Sequence, residues 1–363
     1  MDKDAKTGPV RPLTSRRVPR GPLRQPSIKD IARLAHVSHP TVSRALQNSP
    51  LVNTKTAARI KKIADEAGYR ASAVARGLVT RRTRTIGMVV TTVADPWAGE
   101  VACGIEQSAR ELGYEVFLAN SNADPAVESK LVQALAERRV DGILVTSSRV
   151  GAEYLPLLAE LNVPMVLVND QYPGGFVHSV MIDNVAGSRA AVRHLIELGH
   201  RRIAYVGDRG GFESDTERLT GYKEALAKSG IEFDEALSVK GDGRHTGARD
   251  AVDALLALPA PPTAICCYND MTALGTMRAI RARGLRVPGD VSVTGFDDLF
   301  FAAFLDPPLT TVRQPMRQMG QMAMECLFKL MSGEEPVAQI RVEAELIVRG
   351  STGKAKTQVE RRS

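Results

Sequence analysis

The chain has 363 residues, 44% of them hydrophobic and 25% charged, and carries a net charge of +7. That length exceeds one ordinary domain, so two or three are expected, and no apolar run is long enough to span a bilayer. The charge is split: residues 1–84 hold 19 Lys and Arg against 5 Asp and Glu, a net +14, while the remainder is net −7. A basic head on an acidic body suits the neutralisation of phosphates with release of counterions. The other reading is a solvated basic tail, since seven of the nineteen cations precede residue 27; the remaining twelve lie inside a patterned segment.

Residues 1–26 are rich in Arg and Pro and lack an apolar core segment, so they read as a disordered basic arm and not as a secretory signal. The pattern starts at residue 27. Ser27 is placed to cap a first helix with Ile31, Leu34 and Ala35 as its apolar stripe. Ala35, His36, Val37 and Ser38 make a tight turn, His36 serving as filler. Ser38 caps a second helix, and Pro40 falls in its first turn, where a missing N–H costs little. With Val42, Ala45 and Leu46 facing inward, His39, Thr41, Ser43 and Arg44 are left on outer faces. Asn53 or Thr54 caps a third helix that carries Ala57, Ile60, Ile63 and Ala64 inward and ends at Gly68. Two short helices around a tight turn, with polar residues opening the second, can press a helix end into a DNA major groove.

The run Asp-Ile-Ala-x-x-Ala-x-Val-Ser-x-x-Thr-Val-Ser-Arg-Ala-Leu, followed by Val-x-x-Lys-Thr and Ala-Gly-Tyr, resembles the lactose/galactose/purine-repressor family of bacterial transcriptional regulators. The resemblance implies that His39 and Pro40 occupy base-reading positions and that Arg44 reads a guanine, for which its fork is suited. It assigns Ser38, Thr41, Asn53 and Thr56 to phosphate contacts that set register; Ser38 and Asn53 also read as plain helix caps, and both roles are compatible. It further implies a hinge helix and linker over residues 72–84, the helix (72–79) forming on operator DNA with Leu78 as the leucine wedged into the minor groove. The chain departs from the family there. Ala71-Ser72 stands where a Pro-Asn pair is usual, and Gly77 weakens a helix by about 1 kcal/mol relative to Ala. A plain linker is the alternative for this stretch.

From residue 85 to 350, apolar runs alternate with amphipathic helical stretches. Residues 86–91, 115–119, 142–145, 165–168, 203–206, 238–240, 264–267 and 291–294 read as strands. Such alternation predicts an α/β body of parallel, doubly wound sheets, and two successive strand sets predict two similar lobes. The resemblance continues through Asp183-Asn184, residues 198–204, Arg218-x-x-Gly221, residues 269–275, residues 295–298, residues 308–312 and Val348-Arg349. It implies the two-lobed fold of periplasmic sugar-binding proteins, and a dimer. Residues 351–363 read as a polar tail without leucine heptads.

In such folds ligands bind where strand C-termini meet a crevice. Asp95 and Trp97 follow the first strand, Thr146, Ser147, Ser148 and Arg149 the third and Asp170 the fourth; Arg218 opens a helix of the second lobe, and Asn269 and Asp297 follow later strands. By resemblance these are the effector site. Carboxylates, an amide and an arginine fork suit a polyol, a sugar or sugar derivative, with an aromatic face over its C–H side. Trp97, the one tryptophan, reads as that stacking face or as core packing. Asp183, Asp270 and Asp298 have helix capping as an alternative, and His200 reads as a structural turn residue. Arg244 and His245 fill a segment lacking the family's common aromatic, which favours an acidic or phosphorylated effector. The cysteines 103, 266, 267 and 326 lack metal spacing and read as buried inert thiols.

No nucleophile elbow, zinc-protease motif or phosphate loop is present. The expectation is a cytoplasmic, dimeric DNA-binding repressor controlled by a small molecule, with no enzyme activity, cofactor or metal. Its alternatives are a corepressor-dependent or dual regulator of non-sugar type and, more remotely, a solute-binding receptor, which would need a secretion signal and no DNA head.

Overall fold

The structure, a computed structural model, describes residues 26–70, 82–150, 153, 154, 156, 160, 163–171 and 178–356. It divides into two compact units, 1–81 and 82–363.

Among the described residues the first unit holds three helices, α1 (Ile28–Leu34), α2 (His39–Leu46) and α3 (Thr54–Glu66). Ser27 and Asp30 form a reciprocal capping box on α1: the Ser27 hydroxyl accepts from the Asp30 amide at 3.3 Å, and the Ser27 amide donates to the Asp30 carboxylate at 2.9 Å. The turn into α2 needs a left-handed residue, and His36 supplies it at φ 50°. Ile31, Ala32, Ala35, Val42, Ala45, Ile60 and Ala64 make a small core. Leu34 departs from the predicted stripe: it is 56% exposed, because residues 31, 32 and 35 already fill the face toward α2 and α3.

The second unit contains two six-stranded sheets. The first has the order β11-β5-β4-β3-β1-β2 and comprises β1 (Thr85–Val90), β2 (Glu115–Asn120), β3 (Gly142–Thr146), β4 (Met165–Val168), β5 (Ser179–Ile182) and β11 (Gln339–Val342). The second has the order β12-β10-β9-β8-β6-β7, from β6 (Ile203–Asp208), β7 (Ser238–Gly241), β8 (Ala264–Cys267), β9 (Ser292–Asp297), β10 (Thr310–Arg313) and β12 (Glu345–Ile347). Every pairing is parallel except β10 with β12. Parallel strands buried on both faces read as unbroken apolar runs, which is why β1, β3, β4 and β8 were predicted nearly to the residue.

Helices α4 (Pro96–Glu111), α5 (Pro125–Glu137) and α10 (Met316–Met331) serve the first sheet; α6 (Asn184–Glu197), α7 (Glu213–Lys228), α8 (Ala248–Leu256) and α9 (Asp270–Ala282) serve the second. The chain passes between lobes after β5, β10 and β11. Helices α4 and α10 pack backbone to backbone: a Cβ on Gly104 would collide with the Arg317 carbonyl, and one on Gly320 with that of Val101.

Three readings need correction. Residues 351–356, expected to begin a polar tail, are tied to the second lobe: Ser351 is fully buried, its hydroxyl donates to the Val293 carbonyl at 2.6 Å, and the Ala355 amide donates to the Leu198 carbonyl at 2.9 Å. Residues 82–84 belong to the body, since the Thr83 and Arg84 amides donate to Asp141 at 2.7 and 3.0 Å. Cys103 lies exposed on α4, whereas Cys266, Cys267 and Cys326 are buried. Leu78 and most of the predicted hinge fall outside the described residues.

Candidate functional sites: the helix-turn-helix head and the interlobe cleft

In the head, Ser38 caps α2 through the Thr41 amide at 3.4 Å and bonds the Thr41 hydroxyl at 2.9 Å; Asn53 caps α3 through the Lys55 amide at 2.9 Å. These caps fix the start of each helix and leave His39, Pro40 and Arg44 exposed on α2, with Thr41 and Thr56 half-buried. Helix α2 thus presents the Arg44 guanidinium and the His39 imidazole on its exposed face, a surface chemically suited to phosphates and base edges. Lys61 reaches Asn48 at 2.5 Å and closes the α2–α3 loop.

In the body, most of the residues predicted for the crevice stand at or just after strand ends. Asp95, Thr146 and Asp170 follow or end β1, β3 and β4; Ser147 takes φ 49° just after β3. Opposite them, Asn269 and Asp297 stand at the ends of β8 and β9, and Arg218 lies on α7.

The centre of this set is Arg218, 3% exposed. Its Nε donates to Asn184 Oδ1 at 2.9 Å and its Nη1 to the Tyr268 carbonyl at 2.5 Å. Its guanidinium lies 3.7 Å from the Phe296 ring centre and 4.7 Å from that of Tyr268. Asp297 stands 3.8 Å away, and its Oδ1 accepts from Gln314 Nε2 at 2.6 Å. Gln314 Oε1 in turn accepts from the Trp97 indole at 3.2 Å. A polar relay therefore runs from the first lobe through the β10–α10 crossover into the second.

Trp97 is part of that relay and not an open stacking face. Its ring is 4% exposed and packs with Val90, Val101 and Met316 in the first lobe's core. Asn269 is likewise committed: its Oδ1 accepts from the Thr272 amide at 2.8 Å and its Nδ2 donates to the Gly243 carbonyl at 2.9 Å, which holds the 242–247 loop. Asp183 caps α6 through the Ala186 amide at 2.8 Å. Asp270 and Asp298 cap nothing. Asp270 accepts from the Leu299 amide at 2.7 Å and the Thr311 hydroxyl at 2.5 Å; Asp298 pairs with Arg313 at 2.8 Å and Arg349 at 2.6 Å. His200 is structural, buried among Thr263, Ser292 and the Gly353 carbonyl.

Burial dominates the electrostatics. It pushes the Asp297 carboxyl up to about 7, opposed by Arg218 and reinforced by the charge of Asp95. Burial also raises Asp95, opposed by its bond from the Trp97 amide and by the charge of Arg244. Arg244 is exposed, and its backbone amide donates to Asp242 Oδ1 at 2.9 Å in the 242–247 loop.

A carboxyl raised in this way holds its proton in the folded chain at pH values where the unfolded chain has released it. Its contribution to stability is greatest near pH 4 and declines until the pH passes the folded value, about 7. Asp297→Asn removes that titration. We expect its melting temperature to vary less than wild type's between pH 5 and about 7; parallel curves in a pH-resolved thermal melt would refute the assignment.

Sequence reasoning missed Gln314, Tyr268 and Phe296. Phe296 lay in a quoted motif; Gln314 had no local signal, because its partner Trp97 is 217 residues away.

Comparison with known proteins agrees with this architecture. Residues 27–72 match bacterial regulatory proteins of the lacI family, and residues 192–352 match the periplasmic binding protein-like domain. The HTH-type transcriptional repressor PurR of Aliivibrio fischeri is 36% identical over 330 residues, 90% of this chain and 98% of that protein. The HTH-type transcriptional repressor CytR of Escherichia coli is 36% identical over 332 residues, 90% of this chain and 96% of that protein. The lac repressor dimer bound to operator and the anti-inducer ONPF is similar at TM-score 0.84 and 27% identity, covering 91% of this chain and all of that one. A CelR–cellobiose complex matches at TM-score 0.68 and 34% identity, covering 90% of this chain and 99% of that one. With a capped helix-turn-helix head and a two-lobed body related over nine-tenths of its length to such repressors, this chain belongs to the lacI family of bacterial regulatory proteins.

Proposed function

We propose that the chain is a cytoplasmic repressor that holds a palindromic operator as a homodimer and releases it when a neutral polyol, a sugar or sugar derivative, enters the body cleft. The observation that carries this reading is one chain joining a capped, cationic α2 to a body in which Arg218 stands 3.8 Å from Asp297 at the end of β9. A ligand shifts the arrangement of lobes only through unequal affinity for the open and closed forms. The cleft is read as a site of binding and not of chemistry, because Asp95 caps a helix and Asp297 clasps Gln314. The similarity to a CelR–cellobiose complex supports a sugar-like ligand.

Dimer formation draws on exposed apolar surface. Phe117 and Leu118, on the edge strand β2, are 57% and 48% exposed, and Phe300 and Phe304 are 72% and 84% exposed. Unpaired apolar edges of this kind suit burial against a second copy.

The proposal gives Leu78 the role of minor-groove wedge. Leu78→Ala is then expected to weaken operator binding by about 2 kcal/mol while leaving binding to random duplex nearly unchanged. Fluorescence anisotropy on both duplexes checks this; equal losses on the two would remove the wedge and the hinge with it.

A further inference from the structure

Among the described residues, the buried acids outside the strand-end site include Asp208 and Asp215 in the second lobe and Glu128 in the first. Glu128, on α5, is fully buried beneath the loop that follows β3. Its Oε1 accepts from the Ser148 hydroxyl at 2.5 Å and the Tyr154 hydroxyl at 2.6 Å, and its Oε2 accepts from the Arg149 amide at 3.4 Å. A buried carboxylate so supplied with donors fixes the groups around it. What it fixes here is the segment 147–149 at the cleft.

That segment reaches the other lobe in two ways. The Arg149 guanidinium lies 5.1 Å from the centre of the Phe212 ring, just before α7. The Ser148 carbonyl accepts from the Gln171 amide at 2.8 Å, and Gln171 Oε1 accepts from the Ser214 amide at 3.0 Å in the first turn of α7. Two short chains of contact thus run from Glu128 to the start of the helix that carries Arg218, one through Arg149 to Phe212 and one through Ser148 and Gln171 to Ser214. Both lie apart from the three covalent crossovers between lobes.

We propose that Glu128 is a positioning residue for the effector cleft: it locks the 147–149 loop so that Arg149 and Gln171 latch the two lobes, and thereby sets how firmly the cleft closes. This rests on reading the cleft as the effector site. A loose clamp lets the loop drift, loses both latches and costs closed-form affinity for any ligand. Glu128 itself touches no ligand.

The test needs no effector, so its failure is distinct from a failure of the effector assignment. Hydrogen–deuterium exchange is measured on the intact chain for wild type, Glu128→Gln and Phe212→Ala. In Glu128→Gln the amides of 147–150 are expected to exchange about tenfold faster, and those of Ser214, Asp215 and Thr216 in the opposite lobe about threefold faster. Phe212→Ala, which leaves the Glu128 cluster intact, is expected to accelerate exchange at 147–150 as well. Faster exchange at 147–150 in Glu128→Gln with 214–216 unchanged would reduce Glu128 to a local structural acid and overturn the proposal. Should Glu128→Gln not fold, Ser148→Ala asks the same question and is read by the same two segments.

Discussion

Arg218→Ala is expected to lower the unfolding free energy of the body by about 3–5 kcal/mol, the usual penalty for removing one member of a buried ion pair. The residue holds Asn184 and the Tyr268 carbonyl, fills the gap between two aromatic rings, and faces Asp297, which is 5% exposed. Deletion removes the cation that opposes protonation of Asp297 and leaves Asn184 Oδ1 and the Tyr268 carbonyl without their donor. Arg218→Lys separates charge from shape: an ammonium keeps the charge but cannot stack between Phe296 and Tyr268 or reach Asn184 and the carbonyl together. We expect it to recover no more than about half of the loss. Trp97, the one tryptophan in the chain, lies in the body core and reports this transition in urea titrations. A loss below about 1 kcal/mol for Arg218→Ala would mean that the ion pair and the stacking add nothing net. The same substitution is expected to abolish the response to effector, since the cleft loses its central cation.

Arg44→Ala is expected to cost about 1–3 kcal/mol of operator discrimination per subunit, the value of a bidentate contact to a guanine. Both half-sites of a dimer carry the change, so the total approaches twice that. Arg44 is exposed on α2 and has no role in the head's core, so folding is expected to survive intact. The decisive comparison is between duplexes. A base contact is lost only on operator, whereas a phosphate contact is lost equally on operator and random DNA. Equal losses would demote Arg44 to a backbone contact and leave His39 and Pro40 as the base-reading positions.

Much of this architecture is legible in the residues themselves, for identifiable reasons. The head declares itself through caps: Ser27, Ser38 and Asn53 each precede a 3.6-residue apolar stripe, and all three cap as read. The central strands show as unbroken apolar runs. The strands that were missed, β5, β10, β11 and β12, have 4, 4, 4 and 3 residues, and β11 and β12 are half-exposed at sheet edges. Length alone is not the reason, since β4 and β8 also have four residues; β10, β11 and β12 are interrupted by Thr, Arg, Gln or Glu and β5 opens on Ser179, so none shows an unbroken apolar run. For the cleft, strand-end carboxylates were legible because parallel α/β topology delivers strand C-termini to one crevice. The clasps were not. Trp97–Gln314 and Glu128–Tyr154 depend on tertiary proximity that no local pattern encodes, and Asn269 and Trp97 changed meaning once their hydrogen bonds were visible.

The central claim is that one chain reads an inverted repeat with its head and reports on a metabolite with its body. Its most direct measurement is the affinity of the purified protein for a family-type palindromic duplex and for a scrambled duplex, at one fixed salt concentration, repeated with a panel of neutral sugars and glycosides. The account predicts at least about a thousandfold preference for the palindrome, lost when one member of the panel is present. Equal affinity for both duplexes under every condition would contradict it.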